Sequence, residues 1–136
     1  MTSVCKAALD DAAALGFYRV QFTGGDPLLC RFLPELLSHA RQLKIPSLEV
    51  YTNGLALTDR LLAKLAPHKP AFAFSFYSHD AHTHDGITRT PGSHNRTAQG
   101  IRRAVDAGLQ VRAAIVAMEP NVEQVPDTLA YLHDLG

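Results

Sequence analysis

The regular alternation of strand-like and helix-like segments is the feature that most restricts what this chain can fold into. Four short runs rich in β-branched and aromatic residues are separated by longer runs with apolar positions at helical spacing. Strands are predicted at 17–22, 47–52, 71–77 and 110–118, and helices at 4–15, 31–44, 58–66, 94–108 and from about 122 onward. Strands joined in this way by helices pair in parallel through right-handed crossovers. We therefore expect an α/β fold with four parallel strands and five helices, in a single domain over residues 1–136.

The longest segment without a periodic pattern is 78–93, between the third predicted strand and the helix that follows it. A long irregular connection in a compact domain is usually functional or mobile. We expect an irregular polar loop there.

The composition disfavours several classes of partner. Lysine plus arginine and aspartate plus glutamate number 13 each, so a formal net charge of zero gives no general attraction to nucleic acid. No apolar run reaches the roughly 18 residues that a membrane span needs, and the first residues lack a signal-peptide pattern. Cys5 and Cys30 are too few for a disulfide framework. We expect a cytoplasmic protein with free thiols and with neither nucleic acid nor a membrane as partner.

Recognition chemistry is concentrated where the predicted strands end. The four exit sequences are TGGDP, TNGLALT, YSHDAHTHD and MEPN, whereas the opposite connections are plain turns. The carboxyl ends of parallel strands share one edge of the sheet, and ligands of α/β proteins bind at that edge. Gly24 and Gly25 would let a ligand approach the backbone closely, and Asp26 would suit an ammonium group. The alternative for this stretch is a tight turn with a solvated aspartate. The residues that follow match neither a Walker loop nor a dinucleotide fingerprint.

These exits, taken in order, resemble the central part of the radical SAM enzymes, especially the branch with an additional C-terminal cluster domain called SPASM. FTGGDPLL is similar to the family's Gly-Gly-Glu/Asp-Pro strand end, and YTNG to its next strand. FSFYSHDAHTHDGITRTPGSHNRTAQGI and AGLQVRAAIVAMEPN are similar to the two strands that follow. The resemblance spans essentially the whole chain and implies an incomplete parallel (β/α) barrel, part of a TIM-like radical SAM core.

The resemblance also implies a cofactor and residues that hold it. In the family a [4Fe–4S] cluster cleaves S-adenosylmethionine to a 5′-deoxyadenosyl radical, which abstracts hydrogen from a substrate that is often a peptide. Gly24, Gly25 and Asp26, followed by Pro27, would hold the amino group of the cofactor. Asn53 belongs to the Thr-Asn-Gly exit, Ser75 would contact the ribose or the carboxylate, and Asn121 would lie near the nucleoside. Tyr77, Ser78 and Arg89 are weaker candidates.

The chain departs from the family in its cysteines. The family's C-x3-C-x2-C motif, whose thiolates hold the cluster, is absent, and Cys5 and Cys30 have neither its number nor its spacing. We expect no cluster on this chain alone, a core domain truncated at both ends, and self-association through exposed strand edges and an apolar inner face. The alternatives to an enzyme are a degenerate, non-catalytic binding or scaffold module and a gene fragment without its own activity.

Several polar residues have a plain structural alternative. His79, His82 and His84 with two nearby aspartates suggest a metal site, but their spacing favours a polar loop over the pocket, so no metal ligands are predicted. Ser75 could be a core serine bonded to backbone, and Arg89 could be solvated. The remaining histidines, His39, His68, His94 and His133, are predicted at the surface or in helix caps.

Overall fold

A four-stranded parallel sheet forms the centre of the fold. The computed structural model describes residues 2–136. The strands are β1 (Arg19–Phe22), β2 (Ser47–Thr52), β3 (Ala71–Ser75) and β4 (Val111–Ala114), and they lie in the order β1-β2-β3-β4. All three neighbouring pairs are parallel. The predicted α/β fold with four parallel strands is therefore confirmed.

Residues 2–136 contain six α-helices, one more than the sequence predicted. They are α1 (Thr2–Ala14), α2 (Leu33–Gln42), α3 (Asp59–Leu65), α4 (Ala81–Thr88), α5 (Ser93–Asp106) and α6 (Val125–Asp134). Three short 3-10 turns lie at Pro27–Leu29, Ala66–His68 and Val122–Gln124. No helix within residues 2–136 combines the length and the apolar character needed to cross a membrane.

The additional helix, α4, corrects the prediction of an irregular loop over 78–93. It begins where the Asp80 carboxylate accepts the backbone N–H of Thr83 at 2.7 Å, and it ends at Arg89 in the left-handed conformation (φ 52°). The composition of α4 does not predict a helix, because threonine, histidine and glycine are weak helix formers. The cap and the burial of His84 against the rest of the fold supply what propensity does not.

The fourth strand is shorter than predicted, because the chain turns away from the sheet after Ala114. The side chain of Asn121 accepts the N–H of Met118 at 2.8 Å and donates to the carbonyl of Val116 at 3.0 Å. These bonds hold residues 116–118 in an irregular segment outside the sheet instead of extending β4 to residue 118.

The two faces of the sheet have opposite character. Val50, Phe72 and Phe74 are fully buried and belong to one apolar core with residues of the helices. The opposite face carries Arg19, Gln21, Glu49, Tyr51, Ser75 and Arg112, as the strand register and the alternation of side chains require. The expectation of an apolar inner face is therefore wrong, because the alternation of side chains along each strand directs the large apolar residues toward the helices and the charged residues to the opposite face.

Candidate functional site

A cavity of about 360 Å³ lies at the carboxyl ends of the strands, where the sequence predicted a site. Its lining comes from all of the first three strand exits and from α4 and α5: Thr23, Gly24, Gly25, Tyr51, Thr52, Asn53, Leu55, Ser75, Tyr77, His84, Thr88, Thr90, Ser93 and Thr97. The described residues that line it include no Asp, Glu, Lys or Arg. Its walls therefore offer hydroxyl, amide and backbone groups, and its volume lies within the range of small-molecule sites, roughly 300–1,000 Å³.

The glycine pair at the β1 exit leaves room for a ligand. Gly24 has φ of 119°, a conformation that other residues rarely adopt, so this position requires glycine. A Cβ added at Gly24 or Gly25 would meet no protein atom within 4 Å. The space that a side chain would fill is thus open and faces the cavity, as close approach of a ligand to the backbone requires.

Asp26 ties the first two strand exits together. Both of its carboxylate oxygens lie 2.8 Å from the Thr52 hydroxyl, and they also accept the backbone N–H groups of Leu28 (2.9 Å) and Asn53 (3.3 Å). The bond to Leu28 caps the short turn that begins at Pro27, which is buried. Asp26 is therefore only partly solvated and fixes the geometry of the glycine loop beside the cavity.

The β2 exit is held against α5 by close backbone packing. The hydroxyl of Thr97 donates to the carbonyl of Asn53 at 2.8 Å, and the side chain of Asn53 accepts the N–H of Leu55 at 2.9 Å. Gly54 has φ of 78°, and a Cβ there would stand 2.9 Å from the Phe74 ring. Asn53 consequently lines the cavity from a rigid turn.

Ser75 lies on the cavity side of the sheet and not in the apolar core. Its hydroxyl is 3.3 Å from the hydroxyl of Tyr51, which comes from the neighbouring strand, and both residues are partly exposed. The alternative of a core serine bonded to backbone is not what the structure has, so both hydroxyls are placed to meet a ligand.

His84 closes the cavity from α4 and is neutral near pH 7. Burial, and then the charge of the neighbouring His94, lower the pKa of His84 to about 4. Its Nδ1 accepts the backbone N–H of Tyr77 at 3.3 Å, so the neutral ring carries its proton on Nε2. His84 thus contributes a neutral ring to the cavity wall.

The turn between α4 and α5 is organised by Asp85. Its carboxylate accepts the backbone N–H groups of His94 (2.8 Å) and Gly92 (2.6 Å) and the hydroxyl of Ser93 (2.9 Å). These hydrogen bonds, led by that of His94, hold the pKa of Asp85 at about 2. The N-cap residue of α5 is Gly92, which has no side chain, so the Asp85 carboxylate caps the helix instead. The same turn carries Thr88, Thr90 and Ser93, which line the cavity.

Asn121 and Arg89 do not line this cavity. Asn121 is 1% exposed, and its amide nitrogen donates to the carbonyls of Tyr77 (2.7 Å) and Val116 (3.0 Å). It joins the exits of β3 and β4. Arg89 is exposed at the end of α4, and Ser78 is buried, where its hydroxyl donates to Gln124 and accepts the N–H of Asp80.

The cysteines do not fit an iron–sulfur cluster of the kind the resemblance implies. Cys5 is exposed on α1, and Cys30 is half-buried after the 3-10 turn that follows the glycine loop. No group of three or more His, Cys, Asp or Glu side chains among residues 2–136 is arranged to hold a metal ion. The expectation that this chain has no metal ligands stays a prediction, and no chemical step is assigned to a cluster on these residues.

Several cavity residues escaped the sequence analysis. Tyr51, Thr88, Thr90, Ser93 and Thr97 line the site, but a hydroxyl inside a strand or a helix gives no local signal. His94 was predicted at the surface and is 5% exposed, because its ring packs 5.3–5.5 Å from those of Phe76, His84 and Tyr131. For Ser93, the quoted Gly-Ser before a helix was a usable signal.

Comparison with known proteins identifies a family. The family model described as Radical SAM superfamily matches residues 3–132. The S-adenosylmethionine-dependent nucleotide dehydratase of Lacinutrix mariniflava is 39% identical over 77 residues, which are 57% of this chain and 16% of that protein. The PqqA peptide cyclase of Xanthomonas euvesicatoria pv. vesicatoria is 30% identical over 130 residues, which are 95% of this chain and 35% of the relative.

The fold has counterparts among solved structures. SuiB from Streptococcus suis, bound to S-adenosylmethionine, aligns with a TM-score of 0.80 at 20% identity, over 96% of this chain and 30% of SuiB. SuiB bound to its precursor peptide SuiA aligns with a TM-score of 0.77 at 21% identity, over 93% of this chain and 28% of SuiB. This chain thus spans about a third or less of the length of these proteins.

Proposed function

The chain belongs to the radical SAM superfamily, and from this premise we propose that it binds S-adenosylmethionine in the cavity at the strand ends, as the cofactor-binding part of a radical SAM enzyme. One observation carries the proposal: the Gly24–Gly25 backbone borders the cavity with open space where side chains would stand. A polar, uncharged cavity of about 360 Å³ suits a nucleoside joined to a zwitterionic amino acid.

Each predicted site residue has a part in this proposal. Backbone groups of Gly24 and Gly25 bind the methionine amino group, and the nearby charge of Asp26 favours its ammonium form. Pro27 begins the turn that holds this loop in place. In the family, the bound cofactor supplies the capacity to abstract a hydrogen atom from substrate. The residues of this chain bind and orient it.

The other two strand exits complete the cofactor site. Ser75, with Tyr51 beside it, offers hydroxyls to the ribose or the carboxylate, and Asn53 offers its amide at the rim. Asn121 acts on the nucleoside end indirectly, because its hydrogen bonds fix Tyr77, which lines the cavity, to the β4 exit. Arg89 has no acceptor among residues 2–136 and stays a weaker candidate.

A peptide is the proposed substrate class for the whole enzyme. Relatives named PqqA peptide cyclase match most of this chain, and one structural counterpart holds a precursor peptide. We propose that the whole protein containing this chain also acts on a peptide. We propose separately that the chain self-associates through the outer edges of β1 and β4.

A second candidate function is a non-catalytic binding module. It is favoured by the positions of Cys5 and Cys30, which do not fit a cluster. The two candidates share the cofactor cavity and differ in whether the bound cofactor is cleaved to a radical in the whole protein.

Calorimetric titration with S-adenosylmethionine tests the shared part of both candidates. Gly25→Ala adds a methyl group where no protein atom lies within 4 Å and where φ is not in the left-handed region, so folding should be nearly unchanged while affinity falls roughly tenfold or more. Gly25→Val should have a larger effect in the same direction. Gly86→Ala is the matched control, because its Cβ also meets no atom and it does not line the cavity. Equal affinity for Gly25→Ala and wild type would contradict the proposed site.

Anaerobic reconstitution with iron and sulfide tests the argument drawn from the two cysteines. Two unsuited thiols should yield no stable [4Fe–4S] absorbance on this chain. A stoichiometric cluster that survives desalting would overturn the assignment of the cysteines and remove the argument for a binding module.

A further inference from the structure

A buried carboxylate with two arginines lies on the open face of the sheet, below the cofactor cavity. Glu49, only 3% exposed, accepts Nε of Arg112 at 2.7 Å and Nη2 of the same side chain at 3.0 Å. Gln21 donates to it at 2.5 Å and Arg19 at 3.1 Å. The four residues come from three strands, and we call them the Glu49 cluster.

The Glu49 cluster carries one uncompensated positive charge. The hydrogen bonds of Arg112 outweigh the burial of Glu49 and lower its pKa to about 2, so this carboxylate is ionised at neutral pH. It faces two guanidinium groups, and no other acidic side chain among residues 2–136 contacts either of them. About half of each arginine side chain is exposed.

The hydrogen bond from Arg19 is not required to satisfy the Glu49 carboxylate. The bidentate contact from Arg112 and the bond from Gln21 already supply donors to both carboxylate oxygens. Arg19 adds the longest of the contacts and keeps its Nε and Nη1 without an acceptor among residues 2–136. Nη1 of Arg112 is likewise without one. These donors point to a ligand with acceptor oxygens.

The Glu49 cluster lies next to a residue of the cofactor cavity. A depression of about 490 Å³ is lined by Arg19, Glu49 and Arg112, and Tyr51, which lines the cavity, is two residues along β2 from Glu49. The Tyr51 ring lies 5.8 Å from Cζ of Arg112, while its hydroxyl meets Ser75. Arg112 pairs with Ala73, two residues before Ser75, which is about 7 Å along the strand. About two extended peptide residues, or one long side chain, span this distance.

We infer that Arg19 and Arg112 bind a carboxylate of the substrate, so that the adjoining part of the substrate reaches the cofactor cavity past Tyr51. This inference rests on the proposed function for what it says about substrate, but the carboxylate site itself is independent of the cofactor. The residual charge of the cluster matches a monoanion. A phosphate dianion would leave a net negative charge beside the buried Glu49.

An NMR titration of the full, ¹⁵N-labelled chain without cofactor tests the site. The probes are N-acetyl-glutamate N-methylamide, N-acetyl-glutamine with a free carboxyl group, and the neutral N-acetyl-glutamine N-methylamide. We expect saturable shifts of the Nε–H signals of Arg19 and Arg112 with the acids and none with the neutral probe. Comparison of the two acids tells a side-chain carboxylate from a terminal one. Equal response to the neutral probe, no saturation with either acid, or tighter binding of inorganic phosphate would each overturn the inference.

Matched variants locate the effect. Arg19→Gln leaves Glu49 with Arg112 and Gln21, so the fold should be kept while the acids bind roughly ten- to hundredfold more weakly. Arg102→Gln removes the same charge from the exposed face of α5 and should leave binding unchanged. Equal weakening in both variants would assign the effect to net charge alone. If Arg19→Gln failed to fold, the relative binding of the acids, the neutral probe and inorganic phosphate by the wild-type chain would still test the inference.

Two further outcomes are informative. If sedimentation showed that a second copy covers Arg19 and excludes the acids, the face would be a subunit interface and the inference would be wrong. Because the titration contains no S-adenosylmethionine, loss of acid binding and loss of cofactor binding are measured separately. Failure of this inference therefore differs from failure of the proposed function.

Discussion

His84 shows how one side chain links the stability of the fold to the state of the cavity. It is 1% exposed, packs against the rings of Phe76 and Tyr77, and accepts a backbone N–H, all of which favour the neutral ring. Its pKa in the folded chain is about 4, compared with 6.5 for an unperturbed histidine. Neutral His84 is therefore part of the folded state near pH 7.

The depressed pKa of His84 predicts a loss of stability in mild acid. The unfolded chain binds a proton at this residue below pH 6.5, whereas the folded chain does so only near pH 4, so the contribution is complete above 6.5 and declines as the pH falls toward 4. The total amounts to about 3 kcal/mol. Urea titrations across this range should show the decline.

A pair of variants checks the assignment to His84. His84→Asn keeps an acceptor for the N–H of Tyr77. It should reduce the dependence of the free energy of unfolding on pH between pH 6.5 and 4. His133→Asn changes an exposed histidine and should leave the slope intact. An unchanged slope in His84→Asn would assign the pH dependence to other groups.

At the scale of elements, the packing of α5 on the β2 exit fixes the shape of the cavity. Gly100 of α5 approaches the turn so closely that an added Cβ would lie 3.0 Å from the carbonyl oxygen of Gly54. This oxygen belongs to the backbone of Gly54 and cannot move aside as a flexible side chain could. Gly54 is itself closely packed, because a Cβ added there would lie 2.9 Å from the Phe74 ring. Two glycines on different elements therefore allow helix and loop to meet, and Thr97 then bonds to Asn53.

Gly100→Ala should destabilise the chain although alanine favours helices. Helix propensity alone would add about 1 kcal/mol of stability, but separating α5 from the loop should give a net loss of about 1–3 kcal/mol. Gly86→Ala lies in a helix with open space around it and should stabilise the chain by about 0.5–1 kcal/mol. Thermal or urea unfolding of both variants measures the contrast. A gain in stability for Gly100→Ala would mean that α5 shifts without strain.

On the scale of the whole molecule, the sheet ends at two strands, β1 and β4, that each pair on one side. The carbonyls of Gln110 and Ala114 accept N–H groups of Phe72 and Phe76, from the β3 side. Backbone groups of a parallel strand point alternately to its two sides, so every second residue of β4 directs its N–H and C=O away from the sheet. Ala113 is exposed on this edge, and Val116 just beyond it is 55% exposed. An edge of this kind can pair with another chain.

We predict concentration-dependent self-association through the β4 edge. Sedimentation velocity should show larger species as the concentration rises, and Ala113→Lys should reduce them because charge at an edge opposes pairing. A single monomeric species at all concentrations would contradict the prediction, and association that persists in Ala113→Lys would place the contact elsewhere.

Sequence patterning determined the layered α/β architecture and the edge at which the site lies. Apolar runs such as AFAFSFY and their helical neighbours are local signals, since burial of one face imposes a period on the residues of each element. Gly24, Gly25 and Asn53 were found because strand exits in a parallel sheet share one edge, whereas Ser75 followed from the family resemblance, and all four line the cavity. The α4 helix was missed because its formation depends on a cap and on contacts beyond its own residues.

Only the tertiary structure decided which polar groups face the cavity and which support the fold. Asp26 and Asn121 are residue types common in binding sites, yet both are occupied by hydrogen bonds across neighbouring strand exits, while Tyr51 reaches the cavity without any local signal. In the Glu49 cluster, side chains that share a hydrogen bond are up to 63 positions apart in the chain. The sequence fixes the type and period of each side chain, but a hydrogen bond depends on atoms brought within about 3 Å, and that distance exists only once the strands have paired and the helices have packed.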